Sequence, residues 1–410
     1  MTKKSSTPAI RFKGFTDTWE QRKLGEVGET YTGLSGKSKD DFGHGSGKFI
    51  TYMNVFSNPV ASSNMTEAIE IDDSQNKVQF GDVLFTTSSE TPDEVGMSSV
   101  WLENAENTYL NSFCFGYRPT TEYNPYYLAY MLRSSSMRKK ITFLAQGISR
   151  YNISKNKMMD IEMPIPSIDE QKQIGEYFRN LDNLITLHQR KYDKLTNVKK
   201  SMLEKMFPKN GSNVPEIRFK GFTEAWEQRK VGDLLIERNQ QAPMSDEYPL
   251  MAFIANEGVA PKGERYDRSA LVTDTVNKLY KKTEKGDFIY SSNNLETGSI
   301  GLNKYGKACI SPVYSIFEPT GIADSDFLGR RLVRKDFINA MVKWRQGVIY
   351  GQWRIHESDF LKIEIPVPSV EEQRKIGAYL DQLDNLITLH QRELEKLKNL
   401  KKACLEKMFV

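Results

Sequence analysis

Residues 161–190 read IEMPIPSIDEQKQIGEYFRNLDNLITLHQR, and residues 363–392 read IEIPVPSVEEQRKIGAYLDQLDNLITLHQR. The last ten residues of these two segments are identical. A second matched pair lies upstream, IRFKGFTDTWEQRKLGEV at 10–27 and IRFKGFTEAWEQRKVGDL at 217–234. The ends of the two repeats agree while their middles mostly differ, so the chain is a tandem duplication of one unit.

Each copy predicts a long helix that begins after a Pro-rich corner, MPIPS (163–167) or IPVPS (365–369). Apolar residues then recur in alternating steps of three and four, which is the heptad pattern of a coiled-coil seam. Roughly 38 residues of helix would extend about 57 Å. The predicted seam consists of Leu181, Ile185, His188, Leu195, Leu383, Ile387, His390, Leu394 and Leu397, with Lys199 and Lys401 as breaks.

Connectivity predicts how these two helices pair. Only a short polar link, 208–216, follows the first helix, so the second middle domain must begin near the far end of that helix. If that domain is compact with neighbouring termini, the second helix begins there and runs back. We therefore expect an α+β fold in which two mixed α/β domains are joined by two long helices that form an antiparallel coiled coil with pseudo-two-fold symmetry. The predicted segments are the first domain at 1–160, the first helix at 161–208, the second domain at 209–362 and the second helix at 363–410.

The middle of each repeat predicts short strands and one helix. DVLFTT (82–87) and DFIYSS (287–292) are apolar or aromatic runs bounded by turn residues, which is typical of strands. The single helix is expected over 124–141 in the first middle and over 325–344 in the second. Asn124 is the expected N-cap of the first of these helices.

The composition is that of an ordinary globular protein, with 39% hydrophobic and 27% charged residues and a net charge of +4. No stretch approaches 18 consecutive apolar residues, and the first residues lack the apolar run of a signal peptide. The three cysteines, Cys114, Cys309 and Cys404, lie far apart and predict neither a disulfide framework nor a zinc site. We expect a reduced, cytoplasmic protein. The net charge permits nucleic-acid binding without arguing for it.

Three short motifs are incomplete as enzyme sites. DFGHGSG (41–47) resembles the Gly-rich loop of S-adenosylmethionine methyltransferases, but strand-like sequence follows it where a helix is required. GLSGKS (33–38) lacks the first glycine of a phosphate-binding loop, because that position is Tyr31. NPYY (124–127) opens a predicted helix instead of following a strand. The four histidines have no metal-ligand spacing, so we expect no catalytic residue and no metal in this chain.

The middles contain chemistry that suits DNA. Each predicted helix is basic, and each is followed by a segment rich in Gln, Arg and aromatic residues, QGISRYN (146–152) or QGVIYGQWR (346–354). Arg and Gln can bind base edges, and Lys or Arg can neutralise phosphates. The alternative is that these are solvated helix faces and ordinary loops. Arg150 and Tyr151 have no clean counterpart in the second segment. The candidate DNA-binding residues are Lys37, Lys39, Tyr52, Asn54, Ser88, Ser89, Arg138, Lys139, Gln146, Ser149, Arg150, Tyr151, Ser292, Asn293, Asn294, Arg334, Gln346, Tyr350, Gln352, Trp353 and Arg354.

Two similar domains on a rigid spacer fit a DNA site that is read at two separated half-sites. On these features the chain resembles the specificity (S) subunit of type I restriction-modification systems. The resemblance covers essentially the whole chain. Its carriers are the opening (Trp19 to Gly25 and Trp226 to Gly232), the P-x-P-S-x-x-E-Q-x-x-I-G corner (Pro164 to Gly175 and Pro366 to Gly377), and the LDNLI helix after each corner.

The resemblance implies a division of labour. Each middle domain, about 15–160 and 222–362, would read one half of a split double-stranded DNA target. The helices would set the spacer and dock two methyltransferase (M) subunits, which carry S-adenosylmethionine. Restriction (R) subunits would add cleavage that depends on ATP and Mg²⁺, while this chain would bind no cofactor and no membrane. Two alternatives stay open: a coiled-coil adaptor that binds proteins without DNA specificity, and a self-sufficient methyltransferase that uses residues 41–47.

Overall fold

A computed structural model describes residues 7–209, 211–261, 278–347 and 353–410. Contacts divide the chain into two units: unit 1 comprises residues 1–190 and 391–410, and unit 2 comprises residues 191–390. Each unit contains a mixed domain, the first part of one long helix and the last part of the other. The α+β class with two long helices, predicted from the sequence, is confirmed.

The strands and helices of unit 1 are, in chain order, β1 (Glu20–Lys23), β2 (Gly28–Thr32), β3 (Phe42–Ile50), α1 (Tyr52–Ser57), β4 (Thr66–Ile69), β5 (Val83–Thr86), β6 (Ser88–Ser89), β7 (Ser98–Val100), β8 (Thr108–Leu110), β9 (Cys114–Pro119), α2 (Pro125–Met131), α3 (Ser135–Phe143), β10 (Tyr151–Asn152), α4 (Lys155–Met159), β11 (Glu162–Ile165) and the start of α5 (Ile168–Lys205). The largest sheet has the order β2-β9-β5-β7, and a three-stranded sheet has the order β4-β3-β8. Two further pairs are β1 with β11 and β6 with β10.

Unit 2 continues with β12 (Glu227–Lys230), α6 (Val231–Leu234), β13 (Leu235–Glu237), β14 (Gln241–Ala242), β15 (Ala252–Ile254), β16 (Gly258–Ala260), β17 (Tyr280–Thr283), β18 (Phe288–Tyr290), β19 (Ile300–Leu302), β20 (Ala308–Ile310), β21 (Ser315–Pro319), α7 (Ser325–Arg331), α8 (Lys335–Val342), β22 (Gln346–Gly347), β23 (Trp353–Arg354), α9 (Glu357–Phe360), β24 (Glu364–Val367) and α10 (Val370–Lys407). Its largest sheet, β13-β21-β18-β19, repeats the topology of the four-stranded sheet in unit 1. The divergent middles therefore share one framework.

The prediction of a single helix in each middle is wrong, because each is two short helices, α2 with α3 and α7 with α8. In unit 1 the second helix has its own N-cap: the Ser134 hydroxyl accepts a hydrogen bond from the Met137 N–H at 3.4 Å. The predicted cap at the start of the first helix is present, since Asn124 accepts from the Tyr127 N–H at 3.0 Å. In unit 2 the break falls at the matching Arg334, which forms no side-chain cap, so the two breaks share a position but not a cap.

Within each unit, the repeated sequence at the start of the repeat pairs with the repeated sequence before the long helix. The opening strand β1 pairs antiparallel with the corner strand β11, with Glu20 opposite Ile165. In unit 2, β12 pairs with β24 in the same way, and Glu227 lies opposite Val367. The opening and the corner of each repeat are therefore far apart in sequence but form one two-stranded sheet. Both stretches are similar in the two repeats because both units build this same sheet.

The corner motif joins the long helix to this structure. Glu170 accepts two hydrogen bonds from the Arg11 guanidinium, at 2.6 and 2.7 Å, and one from the Trp19 indole N–H at 3.1 Å. Gln171 accepts from the Asn124 N–H at 3.0 Å and donates to the Pro166 carbonyl at 3.0 Å. Both motif side chains are buried, so each lost hydrogen bond would leave a polar group unsatisfied.

The motif glycine permits close packing of helices. A Cβ at Gly175 would lie 2.6 Å from the Asn124 side-chain oxygen, so α5 can approach the start of α2 only without a side chain there. Gly377 has the same role in unit 2, where a Cβ would lie 2.9 Å from the Asp324 carboxylate. The closing glycine of the corner motif is therefore a packing requirement in both units.

The end of one long helix completes the core of each unit. In unit 1, Phe409 of the C-terminal segment stacks on Phe178 of α5 with ring centroids 5.7 Å apart. In unit 2, Phe207 at the end of α5 stacks on Phe327 of α7 at 5.5 Å. All four rings are buried. Each domain core thus includes residues from both repeats.

The helices run antiparallel within unit 1. Asp182 of α5 is 2.5 Å from Lys401 of α10, and Tyr177 is 3.5 Å from Cys404, so position along one helix falls as position along the other rises. In unit 2 the equivalent ion pair joins Lys199 to Asp384 at 2.5 Å. Lys199 and Lys401 are the breaks in the predicted seam, and each pairs with an aspartate of the facing helix. The predicted seam residues are all buried or half-buried.

The Gly-rich segment 41–47 does not form a methyl-donor loop. Most of it belongs to β3, which pairs with β4 and β8 and has an irregular register between Phe42 and Gly47. A Cβ at Gly45 would lie 2.4 Å from the Ile69 carbonyl oxygen, and the residue has φ +91°. The glycines are therefore explained by this irregular strand. Among the described residues, no helix is both long enough and apolar enough to cross a membrane.

Candidate nucleic-acid interface

In unit 1 a short hairpin, residues 146–152, lies beside β6, the serine pair that follows strand β5. β10 pairs antiparallel with β6, so Tyr151 lies opposite Ser89 and Asn152 lies opposite Ser88. Gln146 closes the hairpin through two backbone hydrogen bonds with Asn152, at 2.9 and 2.8 Å. We call this surface, β6 together with residues 146–152, the hairpin face of unit 1. It brings together predicted residues that lie more than fifty positions apart.

Unit 2 has an equivalent hairpin face, formed by residues 292–294 and the hairpin that pairs Gln346 with Arg354. The Trp353 N–H donates to the Asn293 side-chain oxygen at 2.6 Å, and the Ile355 N–H donates to the Ser292 hydroxyl at 3.1 Å. In unit 1 the Ile153 N–H donates to the backbone carbonyl of Thr87 at 3.0 Å, and Thr87 is the position that matches Ser292. Trp353 therefore occupies the place of Tyr151.

This counterpart is not visible in the aligned sequences. Between the matched glutamine and the matched isoleucine, the second unit has two more residues than the first, as residues 146–153 and 346–355 show. The extra residues shift the aromatic position out of register. Strand pairing restores the correspondence, so the two hairpin faces share a framework and differ in their side chains.

A cavity of about 360 Å³ opens on the hairpin face of unit 1. Tyr52 and Phe56 form one wall, with ring centroids 6.0 Å apart and planes 18° apart. The Tyr52 hydroxyl donates to the Ser88 carbonyl at 2.6 Å, and burial raises the pKa of that phenol. Phe113, which is 56% exposed, lies under the Arg150 guanidinium at 5.9 Å. Flat apolar rings beside a cationic donor suit contacts with nucleobases.

Comparison with known proteins decides the family. The profile described as the type I restriction modification DNA specificity domain matches residues 16–197 and again residues 223–399. The chain belongs to this family. Both copies of the specificity domain include a hairpin face and most of a long helix. The double match supports the DNA-specificity prediction and not the adaptor alternative.

Two relatives of this chain cover, respectively, nearly all and about two thirds of its length. A Methanocaldococcus jannaschii protein assigned as the MjaX type I restriction enzyme specificity subunit is 25% identical over an alignment of 409 positions that covers 94% of this chain and 91% of the relative. The MjaVIII specificity subunit of the same organism is 26% identical over 65% of this chain and 66% of its own length. The crystal structure of a type I restriction-modification S subunit from M. genitalium has the same fold, with a TM-score of 0.59 at 15% identity, covering 98% of this chain and 99% of that one.

The two hairpin faces of the specificity protein contain many of the predicted residues. Tyr350 and Gln352 lie outside the described residues. On or beside the faces are Tyr52, Ser88, Ser89, Gln146, Ser149, Arg150 and Tyr151 in unit 1, and Ser292, Asn293, Asn294, Gln346, Trp353 and Arg354 in unit 2.

Two candidate arginines of the basic helices bind backbone carbonyls inside the protein. Arg138 donates to the carbonyl oxygens of Gly96, Asp93 and Val95 at 2.6–2.8 Å, and burial lowers the pKa of its guanidinium to about 10. Arg334 donates to the Leu203 carbonyl at the end of α5. Both guanidinium groups satisfy backbone carbonyls inside the protein, which leaves them poorly placed for bases. Lys139, by contrast, is exposed.

The remaining candidates lie apart from the hairpin face. Lys37 forms an ion pair with Asp72 at 2.7 Å, and this hydrogen bond raises the pKa of the lysine. Lys39 belongs to an exposed single turn at residues 39–41. Asn54 is fully buried and donates to the carbonyls of Ser62 and Met65. Asn54 therefore holds a loop in place.

Sequence reasoning missed several residues of the cavity. Met53, Phe56, Glu90, Glu94 and Phe113 all line it, and none belongs to a recognisable motif. Phe113 lies in a turn, and Glu90 follows the serine pair without any charge pattern. The sequence did place an apolar residue at the same turn position of both units, Phe113 and Val313. The structure shows that both are exposed, at 56% and 69%.

Proposed function

We propose that this chain is the DNA-recognition subunit of a type I restriction-modification complex and that each unit reads one half of a bipartite double-stranded DNA site. The observation that carries this proposal is the pair of equivalent hairpin faces. In each unit a hairpin that begins at a glutamine is hydrogen-bonded to the segment that follows the central strand, while the side chains differ: Tyr151 is replaced by Trp353, and the serines of β6 are replaced by Asn293 and Asn294. A common framework with different polar groups suits the reading of two unlike half-sites.

The two long helices suit the role of a spacer. The facing segments within each unit are joined by an equivalent ion pair, Asp182 with Lys401 and Asp384 with Lys199. We propose that the helices fix the distance between the half-sites and provide the docking surface for two M subunits. R subunits would then join the assembled complex, and all of these would act on DNA in the cytoplasm.

The chemistry is assigned to the partners. We propose that this chain has no catalytic residue and that S-adenosylmethionine binds to the M subunits, while ATP and Mg²⁺ serve the R subunits. The irregular strand at residues 41–47 supports this assignment, because a methyl-donor loop needs a strand before it and a helix after it.

The first test is to map methylated adenines across the host genome with and without the gene. We expect one split motif to lose its methylation in the deletion strain, because no other subunit would direct the M subunits to that sequence. Methylation that is unchanged at every motif would contradict the proposal, provided that the M subunits are expressed.

A second test separates the two half-sites. Exchanging residues 28–160 for the corresponding segment of another family member should change only one half of the methylated motif. A change in both halves, or in neither, would refute the assignment of one half-site to each unit.

A third test concerns the spacer. Deleting one heptad from each long helix should alter the spacing between the two half-sites or abolish methylation, since seven residues of helix span about 10 Å. An unchanged motif and spacing would show that the helices do not set the distance.

A further inference from the structure

The cavity on the hairpin face of unit 1 also has a charged rim. Glu90 and Glu94 line it together with Arg150. Glu94 accepts hydrogen bonds from the hydroxyls of Thr91 and Ser89, at 2.9 and 3.3 Å. No described residue binds the exposed Glu90 carboxylate. Glu94 therefore holds the local turn, whereas the Glu90 carboxylate accepts no hydrogen bond from the part of the chain that the structure describes.

A free carboxylate on a DNA-binding face opposes the phosphate backbone, so its presence there calls for a specific partner. In the major groove a carboxylate can accept from the amino group of cytosine, and a guanidinium can donate to O6 and N7 of guanine. Glu90 and Arg150 line one cavity, so one site offers both a carboxylate acceptor and a guanidinium donor. A C·G pair presents the cytosine amino donor beside the two guanine acceptors. An A·T pair also presents an amino donor, on adenine, but its two acceptors, adenine N7 and thymine O4, lie on different bases, so the paired acceptors that suit a guanidinium occur only on guanine.

We propose that this cavity reads the edge of a C·G pair in the first half-site, with Glu90 accepting from the cytosine amino group and Arg150 donating to the guanine. This inference rests on the proposed function, since it specifies what the hairpin face of unit 1 recognises. Phe113 supports the arrangement because its ring lies beneath the Arg150 guanidinium and restricts its orientation.

Among the described residues of unit 2, no free carboxylate stands at the position of Glu90. The position that matches Glu90 is Leu295, which is fully buried. The following residue, Glu296, is bound by both terminal nitrogens of Arg345, at 2.9 and 2.7 Å. The carboxylate and the guanidinium satisfy each other there, so neither is free for a base. The Glu90–Arg150 reading mode therefore belongs to the first half-site alone.

The experiment compares methylated motifs in cells that carry the complete system with wild-type chain, Glu90→Gln, Arg150→Ala or the matched control Glu103→Gln. Glu103 is exposed and does not line the cavity. We expect the wild-type first half-site to contain a C·G pair whose preference falls about tenfold in Glu90→Gln, and the loss to favour A·T because glutamine can bind adenine through two hydrogen bonds. Arg150→Ala should relax the same position, and Glu103→Gln should leave the motif unchanged.

The outcomes separate the inference from the proposed function. A first half-site without a C·G pair, or unchanged preference in both cavity variants, would overturn the inference while leaving the recognition role intact. If Glu90→Gln relaxed the second half-site instead, the assignment of the cavity to the first would be wrong. If the chain had no role in recognition, deleting its gene would leave methylation unchanged at every motif.

Discussion

Each unit has an equivalent aspartate on a long helix, and the side chain of the mixed domain that binds it differs between the units. In unit 1, Asp182 is bound by Lys401 and by the Tyr130 hydroxyl at 2.8 Å. In unit 2 the matching Asp384 is bound by Lys199 and by the Arg330 guanidinium at 2.9 Å. The lysine comes from the repeated helix and is the same in both, whereas the second partner comes from the divergent middle. The helices thus supply a constant frame to which unlike domains attach by different side chains.

The largest expected effect concerns the buried glutamate at each corner. Glu170→Ala should lower the free energy of unfolding by about 3–4 kcal/mol, because it leaves the half-buried Arg11 guanidinium and the buried Trp19 indole N–H without their acceptor. Glu372→Ala should cost about 1 kcal/mol less. Glu372 binds Arg218 equally closely, but the Trp226 indole N–H has no acceptor among the described residues, whereas Trp19 donates to Glu170. Urea denaturation of the full-length variants measures both values.

The matched control is Glu176→Ala on the same helix, at an exposed position that should change stability by no more than about 0.5 kcal/mol. Equal costs for the two corner variants would show that the Trp19 hydrogen bond contributes nothing, and that the units are energetically identical at this point.

The contrast between corner and hairpin face explains what the sequence could predict. The long helices, their start after the Pro-rich corner and the cap at Asn124 depend on residues within a few positions of one another, so spacing alone revealed them. The hairpin face depends on pairing between β6 and β10, more than sixty residues apart, and on a register that the two extra residues of unit 2 disguise. No local pattern records such pairing.

The surroundings of the basic residues were hidden from the sequence for a related reason. A sequence gives the charge of Arg138 but not whether its guanidinium meets water or carbonyl oxygens. The same holds for Lys199 and Lys401, which interrupt the apolar seam yet are bound by the facing helix. The charge of a residue therefore indicates its role only when the group that its side chain binds is known.

The second prediction concerns Arg138 and has no equivalent in unit 2, where the matching residue is Ile338. Arg138→Ala should destabilise the protein by about 2–3 kcal/mol, because three carbonyl groups lose a charged donor. The methylated motif should stay the same. Lys139→Ala, next to it but exposed, should change stability by no more than about 0.5 kcal/mol. Thermal unfolding and motif mapping of both variants test this, and an altered half-site in Arg138→Ala would restore its role in reading bases.

A smaller effect is expected at the helix aspartates. Asp384→Asn should cost about 1–2 kcal/mol and Asp182→Asn about 0.5–1 kcal/mol, because Asp384 binds two cations while Asp182 binds one cation and a neutral hydroxyl. The difference should shrink at high salt, which screens partly exposed charges. Urea denaturation at low and high salt distinguishes the two, and a difference that is independent of salt would point to packing instead of charge.

The smallest effect on stability is expected at Trp353, which is 49% exposed on the hairpin face of unit 2. Trp353→Ala should change the free energy of unfolding by no more than about 0.5 kcal/mol, since the hydrogen bond to Asn293 comes from its backbone N–H and survives the substitution. Its effect should appear in recognition: sequence preference should weaken in the second half-site and persist in the first. Tyr151→Ala is the reciprocal variant and should weaken only the first. If either variant changed both halves, the two hairpin faces would not act independently, and the constant frame would have to transmit a change from one domain to the other.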